Sequence, residues 1–390
     1  MKTGVGAKKG MLGEGTISDE ALRAWEDRIG MELRISNLFN RVATCEAIRN
    51  YVNGIGDDNP LYRDQTYAIG TRYGRLAAPP GWLYSVFPTW VAQGLPGVHI
   101  FVAGNDWRFY KPVFMGETIS PVCRFMGFEV KPSRFAQKTV FEYQQSNFYN
   151  ERRELVARTN ALLMRAERAK ARERGKYGHV ELPHPFSDKD LESIDEQVLS
   201  EEVRGSEPRF WEDVEVGEEL PAVVKGPLGL TDMIAYFIGA LPVQMAAHST
   251  QLRYYRRHAA MGFRDPETKA WESVHSVHYS KTAAKAAGLP YPFDEGAQRQ
   301  GWLMSAICNW MGDEAWLKKN SAVYKRFVFI SDVVSIRGKV SSKYIDDDGE
   351  SCVDIQSVAR NQRGENTMDG ASTVVLPSRG TGNWPLKGRV

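Results

Sequence analysis

The chain is short of the features that mark several protein classes. Its four cysteines, Cys45, Cys123, Cys308 and Cys352, stand apart, with no Cys-x-x-Cys pair. That argues for reduced thiols in a cytosolic protein and against a disulfide frame or a zinc site. No uncharged apolar run approaches the roughly 18 residues that a membrane-spanning helix needs. The opening stretch Met1 to Gly15 is Gly/Lys-rich without an apolar segment, so no secretory signal is expected in it. Neither sign of charge is in excess. Fifty Lys and Arg against 48 Asp and Glu leave +2, a balance that argues against a nucleic-acid protein. What is there is globular composition, with 42% apolar, 25% charged and 11% aromatic residues over 390 positions. Disorder and fibrous classes are excluded, and two domains in a cytoplasmic chain are expected.

The two halves repeat one pattern. Val113 to Ile119, Thr139 to Gln144 and Leu155 to Leu163 read as strands, and so do Val328 to Val334, Cys352 to Val358 and Ala371 to Leu376. Each set contains a charged hairpin, Asn150-Glu151-Arg152-Arg153 in one and Asn361-Gln362-Arg363-Gly364 in the other. The step from Val113 to Val328 nearly equals the step at which Gly81-Trp82-Leu83 returns as Gly301-Trp302-Leu303. Near-constant offsets point to a duplicated domain. Each unit has an opening helix (Thr44 to Val52, capped by Thr44; Thr231 to Ile238, capped by Thr231), then a central apolar helix (Trp82 to Gln93; Trp302 to Met311), then antiparallel strands. A curved antiparallel sheet wrapped around one buried helix is α+β. The expected units are 1–170 and 208–380, with 171–207 as linker. The basic run Arg165 to Tyr177 reads as a solvated helix end rather than a nucleic-acid surface, because Glu167 and Glu173 dilute it.

Two places can carry proton chemistry. In the first, a helix ends in glycines and turns through Gly56-Asp57-Asp58-Asn59-Pro60-Leu61-Tyr62. Such a turn can be a self-capping Asx structure or can present Asp57 and Asn59 to a ligand. In the second, His278 stands in Ser276-Val277-His278-Tyr279-Ser280, with His275 three residues earlier and Glu272 as the nearest preceding carboxylate. A structural histidine is the alternative reading. Two histidines without a third nearby ligand make a poor metal site, so no metal is expected.

Gly56-Asp57-x-Asn59-Pro60-Leu61, with Asp64 and Ala68 following, resembles the hydratase motif of MaoC-like hotdog proteins, the R-specific enoyl-CoA hydratases and acyl dehydratases. Ala77-Ala78-Pro79-Pro80-Gly81 is similar to the start of that family's central helix, and Arg108 to Thr118 to its following strand motif. The resemblance covers Thr44 to Leu163 and implies a tandem, or double, hotdog. The family's catalytic histidine position holds Tyr62, and a phenol is a poor proton shuttle at neutral pH. This variant resembles the N-terminal-type half of double-hotdog dehydratases, in which the partner half does the chemistry. Aligning Ser276 to Ala284 with Pro60 to Ala68 puts His278 opposite Tyr62, but the family's Asp position is Ser273.

The resemblance implies hydration of a 2-enoyl-CoA or dehydration of a 3-hydroxyacyl-CoA, a hydro-lyase reaction. Acyl-CoA is then substrate, with no cofactor and no nucleic-acid or membrane partner, and the chain is open to pairing as a homodimer. His278 with Glu272 would share the proton work, Asp57 and Asn59 with Tyr62 being the competing set. Amide groups near Gly81, Gly296 or Gly301 would hold the developing thioester oxyanion. His248, Arg253 and Arg256 are further substrate-contact candidates, the arginines for coenzyme A phosphates, with a loop-packing role and a solvated helix face as the plain alternatives. Asp294 and Glu295 read as helix N-terminal charges. The stretch before His278, much longer than its first-half counterpart, suggests a bulky acyl group. A non-catalytic acyl-binding protein and a hotdog thioesterase are the rivals.

Overall fold

The computed structural model describes residues 14–36, 38–240 and 245–390; most of the Gly/Lys-rich start (1–13) and part of the long second-half stretch (241–244) lie outside them. One antiparallel sheet of ten strands runs through both halves. From edge to edge its order is Glu32–Leu33, Ser120–Ser133, Gln137–Tyr149, Leu155–Ala166, His99–Phe109, Trp316–Tyr324, Asn366–Val375, Ser351–Asn361, Val334–Ile345 and Val223–Lys225. The halves meet where His99–Phe109 pairs with Trp316–Tyr324, Asn105 facing Ala322. The core lies between the sheet and the helices, and Trp82, Leu303, Ile307 and Trp302 fill its centre.

The duplication is written in side-chain bonds as well as in offsets. Phe114 N–H donates to Glu117 (3.1 Å), and at the matching turn of the second half Phe329 N–H donates to Asp332 (3.0 Å). At the hairpins Asn150 donates to Glu154 and Asn361 to Glu365 (2.8 and 3.0 Å). Arg152 reaches Glu117, and Arg363 reaches Asp332. These polar turns fix where each pair of long strands reverses.

Several expectations need correction. Val113–Phe114 is only a two-residue strand pairing Ala77–Ala78, and Val328 to Asp332 is a turn with one bridge, Phe293 to Phe329. The long strands at the seam are His99–Phe109 and Trp316–Tyr324, whose burial does alternate. The polar residues Asn105, Lys318 and Asn320 occupy buried positions, so the apolar/polar alternation expected of a half-exposed strand is missing from the sequence. Thr44 does cap the helix Cys45–Ile55. The second opening helix, Leu230–Ala240, begins one residue before Thr231, and Asp232 reaches back to the Gly229 N–H (2.6 Å). Residues 171–207 hold a helix of their own, Asp188–Leu199, closed by a Ser187/Asp190 capping box. Within the basic run, Arg165 and Arg168 are buried rather than solvated.

The largest departure concerns the first central helix. It ends after Pro80–Trp82 and Leu83–Val86. Pro88 follows, and the residue before a proline is driven out of the helical region; Phe87 is extended and Thr89 has φ 72°. The second central helix runs its full length, Gly296–Met311. Where the first is missing, polar residues on the inner face of the sheet hold an extended loop. Gln144 both accepts from and donates to the Val91 backbone (2.8 and 2.9 Å), and Ser146 donates to the Thr89 carbonyl (3.0 Å). Arg165, paired with Glu142 (3.3 Å), donates to the carbonyls of Gln93 and Gly94.

The two opening helices cross in close contact at glycines. A Cβ on Gly239 would lie 2.2 Å from the Asn50 carbonyl oxygen, and one on Gly54 2.8 Å from the Tyr236 Cα. Gly239→Ala is therefore expected to cost about 1–3 kcal/mol through forced separation of the helices. Gly70→Ala, which meets nothing within 4 Å, serves as the control. Equal denaturation midpoints for the two variants would contradict this packing.

Candidate active site

His278 closes a short helical turn, Val274–His278, that Ser273 caps by accepting from the His275 N–H. The turn has the same backbone as the Asp57 motif. Arg63 and Asp64 both donate to the Pro60 carbonyl, and in the second half Tyr279 and Ser280 both donate to that of Ser276. His278 thus occupies the place of Tyr62. One three-residue segment grips both nitrogens of its ring: Nδ1 lies 2.9 Å from the Phe293 carbonyl and Nε2 2.9 Å from Glu295 Oε1. A carbonyl can only accept, so Nδ1 carries a proton and Nε2 is the nitrogen that exchanges one with Glu295.

The electrostatics of the pair are set by burial against mutual attraction. Burial pulls the His278 imidazolium down, but Glu295 and the Phe293 carbonyl outweigh it, and its pKa ends above the ordinary histidine value. Burial pushes the Glu295 carboxyl up, but His278 outweighs that and holds it below the ordinary glutamate value. Both shifts favour the imidazolium–carboxylate form of the pair. Burial lowers the neighbouring His275 to about 4, the charge of Glu295 opposing it only in part.

The carboxylate on His278 is therefore Glu295 and not Glu272. Glu272 sits on the strand Trp271–Ser273 opposite Phe263, makes no bond to His278 and does not line its cavity. Asp294 and Glu295 do stand at a helix N-terminus, but Glu295 makes no capping bond there. Asp294 takes a bidentate bond from the buried Arg299 (2.9 and 2.6 Å), which leaves the neighbouring Glu295 to face the imidazole. Arg299, close after Asp294, was the signal in the sequence that could have separated their roles.

His278 and Glu295 line a cavity of about 1810 Å³ together with Gly296, Phe101, Trp90, Tyr84 and Arg253, larger than the roughly 300–1,000 Å³ usual for ligand sites. The loop that replaces the first central helix forms one wall, Pro88 to Val98. The second central helix begins at Gly296, so its first N–H groups, unpaired by helix geometry, and the positive end of its dipole stand beside Glu295.

The other predicted residues fall elsewhere. Asp57 and Asn59 are buried; Asp57 accepts from the Asn59 N–H (3.0 Å), and Asn59 caps Leu61 (2.9 Å). Burial raises the Asp57 carboxyl, the Asn59 N–H partly opposing it. The space beside Asp57, where Gly81 and Gly301 also lie, is about 10 Å³, barely one water. A Cβ on Gly81 or Gly301 would strike the Tyr51 hydroxyl, so these glycines serve packing, and an Asp57-Asn59-Tyr62 site has no room for an acyl chain. Tyr62 is a buried core residue. His248 is exposed at the start of the helix His248–Arg257, outside the cavity. On that helix Arg253 and Arg257 line the cavity and Arg256 does not.

The chain has the fold of a double-hotdog protein. It shares its fold with a MaoC-like dehydratase (14% identity, TM-score 0.61, 90% of this chain and 99% of that one). The same holds for a MaoC domain protein dehydratase from Chloroflexus aurantiacus J-10-fl (14%, TM-score 0.55, 96% and 99%). A protein from Mycobacterium tuberculosis described as having a double hotdog fold is similar at 10% identity and TM-score 0.52, over 89% and 96%. Residues 29–159 match the family model of the FAS1-like, dehydratase domain region. No curated protein sequence matches the chain. No helix among the described residues is long and apolar enough to cross a membrane.

Proposed function

We propose that the chain hydrates a 2-enoyl-CoA, or in reverse dehydrates a 3-hydroxyacyl-CoA, with a bulky acyl group. The observation that carries this reading is the His278–Glu295 pair at a helix N-terminus inside so large a cavity. In dehydration the Glu295 carboxylate takes the proton on C2 and the His278 imidazolium gives its Nε2 proton to the departing C3 hydroxyl, which leaves as water. Hydration is the reverse. The charge that develops on the thioester oxygen would fall to the N–H groups at the start of the helix Gly296–Met311. Acyl-CoA is substrate, and the reaction so written draws on no cofactor.

The bulk of the acyl group rests on the volume opened by the loop Pro88 to Val98. A bulky aromatic or steroid side-chain enoyl-CoA is expected to exceed crotonyl-CoA in kcat/KM by at least about tenfold, the scale of selectivity that apolar pocket contacts supply. A clear preference for crotonyl-CoA refutes that part of the reading. Release of free thiol from acyl-CoA would instead favour a thioesterase.

A further inference from the structure

The cavity holds an imidazole from the other half of the chain. His99 opens the seam strand His99–Phe109, is 7% exposed and lines the same cavity as His278. One chain of aromatic contacts links them. The His99 ring lies 4.3 Å from that of Phe101, Phe101 6.4 Å from Phe293, and Phe293 4.6 Å from His278. Arg168, itself buried, donates from Nε to His99 Nδ1 (3.2 Å). A guanidinium has no lone pair to offer, so Nδ1 must be the bare, accepting nitrogen. That fixes the tautomer: the ring is neutral and its proton is on Nε2. Burial, with the charge of Arg168 and then of His278, keeps the ring from accepting a second proton.

The two imidazoles are therefore driven in opposite directions, His278 toward the cation and His99 toward the neutral donor, the divergence that assigns distinct roles to like groups in one site. Resting on the reading of the chain as an acyl-thioester hydratase, we propose that His99 is a second catalytic residue. Its neutral Nε2–H donates a hydrogen bond to an oxygen of the bound acyl thioester, so that each half of the chain supplies one imidazole. Anchoring of the helix Arg168–Arg174 through Arg168 is the competing, purely structural role.

Two measurements separate them. His99→Phe keeps the ring volume and removes the donor; His99→Gln keeps an N–H near the Nε2 position. Loss of one such donor is expected to lower kcat by about 100-fold in His99→Phe, with the loss largely reversed in His99→Gln. A structural role moves the unfolding midpoint in both variants and not kcat selectively. Independently of turnover, 15N-histidine spectra of the whole protein are expected to show ring 99 as the Nε2–H tautomer, with its Nε2–H resonance shifting on addition of saturated octanoyl-CoA. His99→Phe with wild-type kcat, in an active enzyme, overturns this inference and leaves the proposed function standing. If the wild-type protein turns over no enoyl-CoA, the proposed function fails and the spectra decide His99: an Nδ1–H tautomer or an unshifted resonance overturns it.

Discussion

Replacing His278 with Ala is expected to lower the proposed enoyl-thioester hydration by about 10²–10⁴-fold, the usual contribution of a positioned proton carrier. Glu295→Gln is the cleaner companion, because it keeps side-chain volume and a hydrogen-bonding partner 2.9 Å from Nε2 while removing the charge. That removes the largest contribution raising the His278 pKa, so its titration is expected to move down. The sign follows from the shifts. His278 is raised, so its share of the pair's stabilisation is complete below the unfolded histidine pKa and disappears as pH rises through the raised value. Glu295 is lowered, so its share is complete above the unfolded glutamate pKa and disappears as pH falls through the depressed one. Dehydration by the wild type should follow the same window, and in Glu295→Gln the basic limb of the residual activity should move to lower pH. Steady-state rates against pH, with circular dichroism to confirm folding, check this. Wild-type turnover in both variants would remove the pair from the mechanism.

Arg165→Met is expected to destabilise the fold by about 3–5 kcal/mol, because it leaves Glu142 buried without its cation. Glu142 is wholly buried and Arg165 is 1% exposed; burial raises the Glu142 carboxyl even with Arg165 beside it. The guanidinium also satisfies the carbonyls of Gln93 and Gly94, so its loss frees the loop that walls the cavity. Combining it with Glu142→Gln should recover much of the stability, since the uncompensated charge is then gone, while the loop carbonyls remain unbonded. Denaturant midpoints of the two variants make the comparison. A single-variant loss under about 1 kcal/mol, the scale of an exposed ion pair, would mean that the pair does not hold the loop.

Much of the architecture was legible in local signals. The offset between Val113 and Val328 reappears in the Glu117 and Asp332 turns, because a turn is encoded by the few residues that make it. His278 stands opposite Tyr62 for the same reason: the backbone bonds that Pro60 accepts in the first short turn recur at Ser276 in the second. The seam strands were not legible, since Asn105, Lys318 and Asn320 put polar residues at their buried positions and break the apolar/polar alternation.

The residues alone determined a duplicated α+β chain, with Tyr62 in the first motif and His278 in the second; the resemblance alone implied an imidazole at the place of Tyr62. Only the tertiary structure decided that the carboxylate on His278 is Glu295, that the space beside Asp57 is closed, and that the first central helix gives way to a loop. Each depends on side-chain contacts that spacing does not record. Asp294 is occupied by Arg299, which frees Glu295, and Gln144, Ser146 and Arg165 bond to the loop from strands far along the chain. Period and spacing report a chain's near neighbours; the balance of burial and charge that sets a site belongs to contacts they do not contain.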